Sequence, residues 1–189
     1  ADILLNKHVE SELVFGKGWS YGAEYYLKKN TGKVTGWLSY TLSRTRRQFD
    51  DINDGNDFRS KYDRTHDFSL TGIYHRSKKW TFSGSWIFHT GNAVTFPSGK
   101  YEIDGMTVDY FTERNGYRMP AYHRLDLSAT WIRKKTEHYE SSFNFSLYNA
   151  YGHKNAYSIY FRENEKNPRY TEAVKVSLFT FFPSITYNF

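Results

Sequence analysis

Apolar and polar residues alternate with a period of two through most of the chain. At the C-terminal end, Phe179, Phe181, Pro183, Ile185 and Tyr187 interleave with Thr180, Ser184, Thr186 and Asn188. In 123–131 the odd positions are Leu125, Leu127, Ala129 and Trp131, and the even ones are Arg124, Asp126, Ser128 and Thr130. Trp80, Phe82, Gly84, Trp86 and Phe88 alternate with Thr81, Ser83, Ser85, Ile87 and His89. The stretches 67–75, 34–45, 19–28 and 141–151 repeat the scheme. Successive side chains of a strand point to opposite faces, so each stretch predicts a strand with one greasy and one wet face. The predicted spans are 19–29, 33–46, 66–77, 79–95, 122–134, 139–161 and 173–189. An eighth is hinted at by ADILL, residues 1–5.

Connections decide between two kinds of antiparallel sheet. A water-soluble sheet also alternates apolar inside and polar outside. Here, however, short links (KKNTGK, SKK and RKKTEH) alternate with long ones at 47–65, 91–121 and 152–173. That asymmetry predicts an all-β, antiparallel, up-and-down transmembrane barrel of the bacterial outer membrane, with long extracellular loops and a periplasmic C-terminus. The aromatics near the short turns (Tyr25, Trp80, Trp131, Tyr139, Tyr187 and Phe189) then form a headgroup-level girdle.

Composition agrees with this reading. Aromatic residues make up 20% of the 189 residues and cysteine is absent. No segment approaches the ~18–20 continuous apolar residues of a spanning helix. Barrel strands escape such a scan because lumen residues dilute their lipid face, which fits a mean hydropathy of −0.75. The net charge of +6 is spread over turns and loops. No basic stripe carries base-stacking aromatics, so nucleic acid is not an expected partner.

A complete eight-stranded barrel, structural or adhesive, would close its first strand on its last. After Leu5 the pattern decays into NKHVESE, too polar to continue a spanning strand of ~9–11 residues. An unpaired edge is not tolerated in lipid. The expectation is therefore the C-terminal piece of a larger barrel. A soluble β-sandwich that binds carbohydrate through surface aromatics is the third reading.

The ordered series GKGWSYGAEYYLKK, TGWLSYTLSRT, DRTHDFSLTGIY, WTFSGSWIFHTGNAVTFPSGKY, NGYRMPAYHRLDLSATW, FNFSLYNAYGHKNAYSIYF and FPSITYNF resembles TonB-dependent outer-membrane receptors. The likeness is to the Bacteroides-type group with a carboxypeptidase-like regulatory domain, and it covers essentially the whole chain. It implies the last eight or so strands of a 22-stranded barrel, with the plug domain and earlier strands absent from residues 1–189. It also implies uptake of a scarce nutrient and energy from the TonB complex through the plug. The implied partners are outer-membrane lipid, the rest of the receptor, a surface-exposed lipoprotein and the barrel-assembly machinery. In this family the terminal aromatic strand is an assembly signal, here Ile185, Tyr187 and Phe189, read by strand addition.

Further chemistry is sparse. The acidic loop Asp50–Asp57 fails the EF-hand template, with Ile52 at the third position and Lys61 at the twelfth. The seven histidines lack a compact metal spacing. No nucleophile elbow or phosphate-binding glycine loop appears, so neither catalysis nor a cofactor is expected. Tyr101, Tyr110, Arg114, Tyr117, Arg118, Arg169 and Tyr170 in the long loops are candidate substrate or partner contacts, because Tyr and Arg are common binding anchors. Glu24, Asp67, Arg124 and Asp126 lie on the lumen parity and are candidate plug-facing residues.

Overall fold

A computed structural model describes residues 13–104, 106–164, 170–178 and 180–189. Apart from one 3-10 turn at Asn53–Gly55, every described element is a strand. The strands are β1 (Gly16–Lys29), β2 (Val34–Phe49), β3 (Phe58–Arg59), β4 (His66–His75), β5 (Trp80–His89), β6 (Ala93–Val94) and β7 (Gly99–Ile103). They continue with β8 (Met106–Tyr110), β9 (Tyr117–Arg118), β10 (Tyr122–Lys135), β11 (Glu140–Tyr148), β12 (Ala156–Glu163), β13 (Thr171–Ser177) and β14 (Phe182–Asn188). The main sheet runs β1-β2-β4-β5-β10-β11-β14, an antiparallel meander in chain order, and β3 adds to β2. β1 and β14 each have one neighbour on this path, so the described strands form an open sheet rather than a closed barrel.

Contacts divide the chain into two compact units. The first comprises Ala1–Tyr21, Arg44–Asp63 and Asn92–Arg118; the second comprises Gly22–Ser43, Arg64–Gly91 and Met119–Phe189. In the second unit, strand register carries the period-two pattern across the sheet. Trp80, Trp131, Phe143 and Tyr187 form one row, and the next contains Val34, Tyr74, Phe82, Ala129, Phe145 and Ile185. Gly36, Gly72, Gly84, Leu127, Leu147 and Pro183 follow, then Leu38, Leu70, Trp86 and Leu125, and finally Tyr40, Phe68, Phe88 and His123. All five rows share one face, because paired residues in an antiparallel ladder project to the same side. The opposite face carries Thr71, Ser83, Ser85, Ser128, Ser146 and Ser184, with hydroxyl pairs Thr71–Ser85 at 3.0 Å, Ser83–Ser128 at 2.8 Å and Ser146–Ser184 at 2.6 Å.

Burial in this unit is inverted. Its buried side chains include Ser141, Ser142 and Asn149, and no described apolar side chain is among them. Leu70, Tyr74, Leu127, Phe145 and Tyr187 are exposed, and Ile185 is 70% exposed. The first unit has a small apolar centre, Phe58 and Ala93. The buried inter-sheet core expected of a soluble sandwich is thus missing from the described part of the second unit.

Three predicted spans are corrected. Span 79–95 ends at His89: Gly91 packs so tightly on Met119 that an added Cβ would overlap its carbonyl, and Ala93–Val94 pairs instead with β9. Span 139–161 breaks after Tyr148, where Asn149 (φ 54°) and Gly152 (φ 65°) turn the chain. Span 173–189 splits into β13 and β14. β12 and β13 form a separate hairpin, and β11 pairs directly with β14. The long connections 91–121 and 152–173 therefore carry short strands of their own. The ADILL strand lies outside the described residues.

Gly36 (φ 154°) passes so close to β4 that a Cβ would meet the Thr71 carbonyl oxygen at 2.1 Å, whereas a Cβ at Gly72 has nothing within 4 Å. Gly36→Val is expected to lose about 2–3 kcal/mol of folding stability through this clash. Gly72→Ala should change it by less than about 0.5 kcal/mol. Denaturant titration in detergent micelles checks the contrast.

Candidate functional site

On the polar face of the second unit one ion pair is set among tyrosines. Arg124 and Asp126 sit two residues apart on β10 and so share a face. The Arg124 guanidinium donates Nε–H to Asp126 Oδ2 at 2.9 Å, with Nη2 at 2.8 Å from the same oxygen. Its Nη1 donates to Tyr148 Oη at 2.7 Å and Tyr122 Oη at 3.1 Å, and the group lies 4.1 Å from the Tyr148 ring centroid. Asp126 Oδ1 accepts the Asn149 amide at 2.9 Å, tying the ion pair to the turn after β11. Beside it, Asp126, Ser128, Ser83, Ser146 and Thr71 line a groove of about 260 Å3. Such an array donates and accepts hydrogen bonds with a polar surface laid against it. It offers neither an activated nucleophile nor an acid–base pair facing open space.

Asp67 lies on the same face through the row Asp67, His89 and Tyr122, in which the His89 and Tyr122 rings stack at 4.9 Å. Its carboxylate stands 3.7 Å from Arg64. Glu24 is exposed on β1. The structure thus brings Arg124 and Asp126 together, places Asp67 along the same face and leaves Glu24 apart from the cluster.

At the His123 end of the apolar face, Trp86 Nε1 donates to Tyr151 Oη at 3.2 Å, and Tyr151 Oη lies 2.8 Å from His123 Nδ1. His153 stacks on His123 with centroids 3.7 Å apart. Asn155 clasps the His123 backbone at both its N–H (3.0 Å) and its C=O (2.9 Å). Burial, then His123, then Lys175 hold the His153 pKa below the usual histidine value. At the opposite end, Trp80, Trp131, Phe143, Tyr187 and Phe189 form a chain of ring contacts from 4.8 to 6.2 Å. Ile185, Tyr187 and Phe189 are exposed there, Phe189 at 89%.

In the first unit, residues 47–63 and 92–118 are laced together. Asn53 accepts the Arg114 amide at 2.7 Å and donates to the Arg114 carbonyl at 3.2 Å. Asn115 Nδ2 donates to the Arg59 carbonyl at 2.8 Å. Asp63, 3% exposed, accepts the Thr45 amide at 2.6 Å and pairs with Arg118, whose Nη1 also donates to the Asp63 carbonyl. Between the segments lies a cleft of about 350 Å3 whose walls include Arg46, Asp54, Asp57, Arg59, Glu113 and Arg114. No group of three His, Cys, Asp or Glu residues suited to a metal occurs among the described residues, and Asp57 of the acidic loop is engaged with Arg46 at 2.7 Å.

Of the loop residues expected to contact substrate, Arg114 lines this cleft and Arg118 is an internal tie. Tyr117 stacks on Phe96, and Tyr101 meets Tyr110 edge-on across the β7–β8 hairpin. Tyr170 is exposed immediately before β13, in the connection between β12 and β13, and Arg169 lies outside the described residues. The pattern did not single out Asp63, Asn53, Asn115 or Asn149. The three asparagines each precede a glycine by one to three positions and adopt positive φ (53°, 55° and 54°), a turn signal available in the sequence.

No protein-family model, curated protein or solved structure matches the chain.

Two outcomes follow from this geometry. Arg124→Gln should cost about 1–3 kcal/mol, since it strips charged hydrogen bonds from Asp126 and two tyrosines; denaturant midpoints measure it. The fold lowers the His153 pKa, so the stability linked to its neutral form is present above the ordinary histidine pKa of about 6.5 and is lost as pH falls below it. The protection factors of the Gly152 and His153 amides, taken against the intrinsic exchange rate at each pH, should fall between pH 7.5 and pH 5, and His153→Gln should flatten that dependence.

Proposed function

We propose that this chain is a stretch of wall from a transmembrane β-barrel in a bacterial outer membrane, belonging to a TonB-dependent transporter that takes up a scarce nutrient. The inverted burial of the second unit carries the reading. Val34, Leu70, Tyr74, Leu127, Phe145, Ile185 and Tyr187 of the five apolar rows are exposed and the rest of those rows' large apolar side chains are half-buried, while serines and an asparagine are buried. In water such a face is strongly unfavourable, at roughly 25 cal/mol for each Å2 of apolar surface left wet. In lipid the cost vanishes and the hydroxyl-lined face becomes the lumen side. From the Trp80 row to the Phe88 row the strand rises about 26 Å at ~3.3 Å per residue. With tilt and ring size counted, this suits the ~25 Å apolar band of outer-membrane barrels flanked by aromatic girdles.

On this reading the long connections 47–65, 91–121 and 152–173 are extracellular and the turns between β1 and β2, β4 and β5, and β10 and β11 are periplasmic. The Arg124–Asp126–Tyr148 array faces the plug, which the TonB complex remodels to open a path along the wall. The exposed edges of β1 and β14 are completed by the other strands of the barrel, as lipid requires. Ile185, Tyr187 and Phe189 present the strand that the assembly machinery recognises.

Refolding the chain from urea into vesicles of bromine-labelled lipid tests the membrane reading. Quenching of tryptophan emission by half or more is expected, because Trp80, Trp86 and Trp131 all lie on the apolar face. Unquenched emission with the protein in the aqueous fraction contradicts it. In cells, Phe189→Asp in the parent receptor is expected to lower the folded outer-membrane pool several-fold without reducing synthesis; an unchanged pool removes the assembly role.

A further inference from the structure

The cleft of the first unit has a charge balance that its own residues leave open. Arg46 and Asp57 neutralise each other at 2.7 Å. Arg59 and Arg114 on the cationic side, and Asp54 and Glu113 on the anionic side, make no ion pair among the described residues. Arg114 is positioned by its guanidinium over the buried Phe58 ring, 6.0 Å from the centroid. Arg59 spends one weak N–H contact, 3.4 Å, on the Gly116 carbonyl. The remaining guanidinium donors form the planar fork that grips a carboxylate with two parallel hydrogen bonds.

The frame around them is already organised. Three cleft residues that are not glycine (Asn53, Asp54 and Asn115) hold left-handed backbone at φ 53–55°. Such conformations cost about 1 kcal/mol or more each unless the surroundings fix them. The fixing contacts are the reciprocal Asn53–Arg114 bonds and the Asn115 bond to Arg59. A ligand therefore meets a site that needs little ordering on binding.

We propose that this cleft binds a compact carboxylate that carries its own hydrogen-bond donors, either a sugar acid or a peptide-like zwitterion. The carboxylate meets Arg114 and Arg59, and the ligand's hydroxyl or ammonium donors meet Asp54 and Glu113. An apolar ligand finds no wall here, because Phe58 is covered by Arg114. A bare metal ion finds no three-ligand cluster among the described residues. A bare dianion is repelled by the two free carboxylates. The cleft, about 350 Å3, falls at the small end of ligand sites, roughly 300–1,000 Å3.

The assignment rests on the first unit's geometry and not on the membrane reading, so the two fail separately. The test is calorimetric titration of the full chain in detergent micelles with four probes: D-glucuronate, glycylglycine, D-glucose and succinate. Glucuronate or glycylglycine should bind at least tenfold more tightly than glucose, which lacks the charge, and succinate, which lacks the donors. Arg114→Gln and Arg59→Gln should each weaken that binding about tenfold. Glu113→Gln separates the sources: it should weaken glycylglycine about tenfold and glucuronate less than threefold. Equal binding of glucose or succinate overturns the proposal, as does undiminished affinity in both arginine variants. Absence of binding by all four probes overturns it too.

Discussion

Strand register is the constraint on which the second unit depends. Each strand alone is only an alternating sequence, and a slip by one residue at any seam would move its apolar side chains to the hydroxyl face. From the Trp80 row to the Phe88 row the observed pairings keep parity through β2, β4, β5, β10, β11 and β14, so the rows of Trp80 and Phe82 run on to Tyr187 and Ile185; the register slips only beyond Ile132, at the end of the β10–β11 pairing. Ring contacts along the Trp80 row and hydroxyl pairs on the opposite face both reward that register. Neither would survive a shift, since Ser83 would then face Leu127 or Ala129 rather than Ser128.

The two units solve the same physical problem in different ways. The sheet leaves its apolar side chains outward and satisfies its polar ones laterally, through Ser–Ser and Ser–Thr pairs and the Arg124–Asp126–Tyr148 array. The first unit buries Phe58 and Ala93 and holds its loops with polar ties: the Asp63–Arg118 pair, the Asn53–Arg114 exchange and Asn115 on Arg59. Those ties close long sequence separations and so hold loops that carry little apolar surface. Long loops of this kind commonly carry binding function, and the open charges of the cleft sit where such ties have removed flexibility.

The period-two pattern made the strands legible, down to which residues of each strand share a face, whereas which of them share a row depends on the pairing across strands. It failed at the ends. Residues 139–161 read as one strand because alternation resumes in AYSIYF after the break, yet positive φ at Asn149 and Gly152 turns the chain and sends β12 into its own hairpin. Arg124 and Asp126 were legible as one face, whereas their joint anchoring on Tyr148 and the Asn149 amide depends on the β10–β11 pairing. The lacing of the first unit was not legible: Asp63 meets Arg118 across 55 residues and Asn53 meets Arg114 across 61, separations that no local pattern encodes. Asn–Gly spacing marked the turns, but not what the turns would touch.

The central claim is that one face of the sheet contacts lipid and the other water, and nitroxide labels placed singly along β10 test it most directly. With the protein in vesicles, labels at Leu125, Leu127, Ala129 and Trp131 should collide with dissolved oxygen. Labels at Arg124, Asp126, Ser128 and Thr130 should collide with a water-soluble nickel complex, giving a two-residue oscillation in opposite phase for the two reagents. Nickel access at both parities would mean a sheet wetted on both sides and would contradict the account.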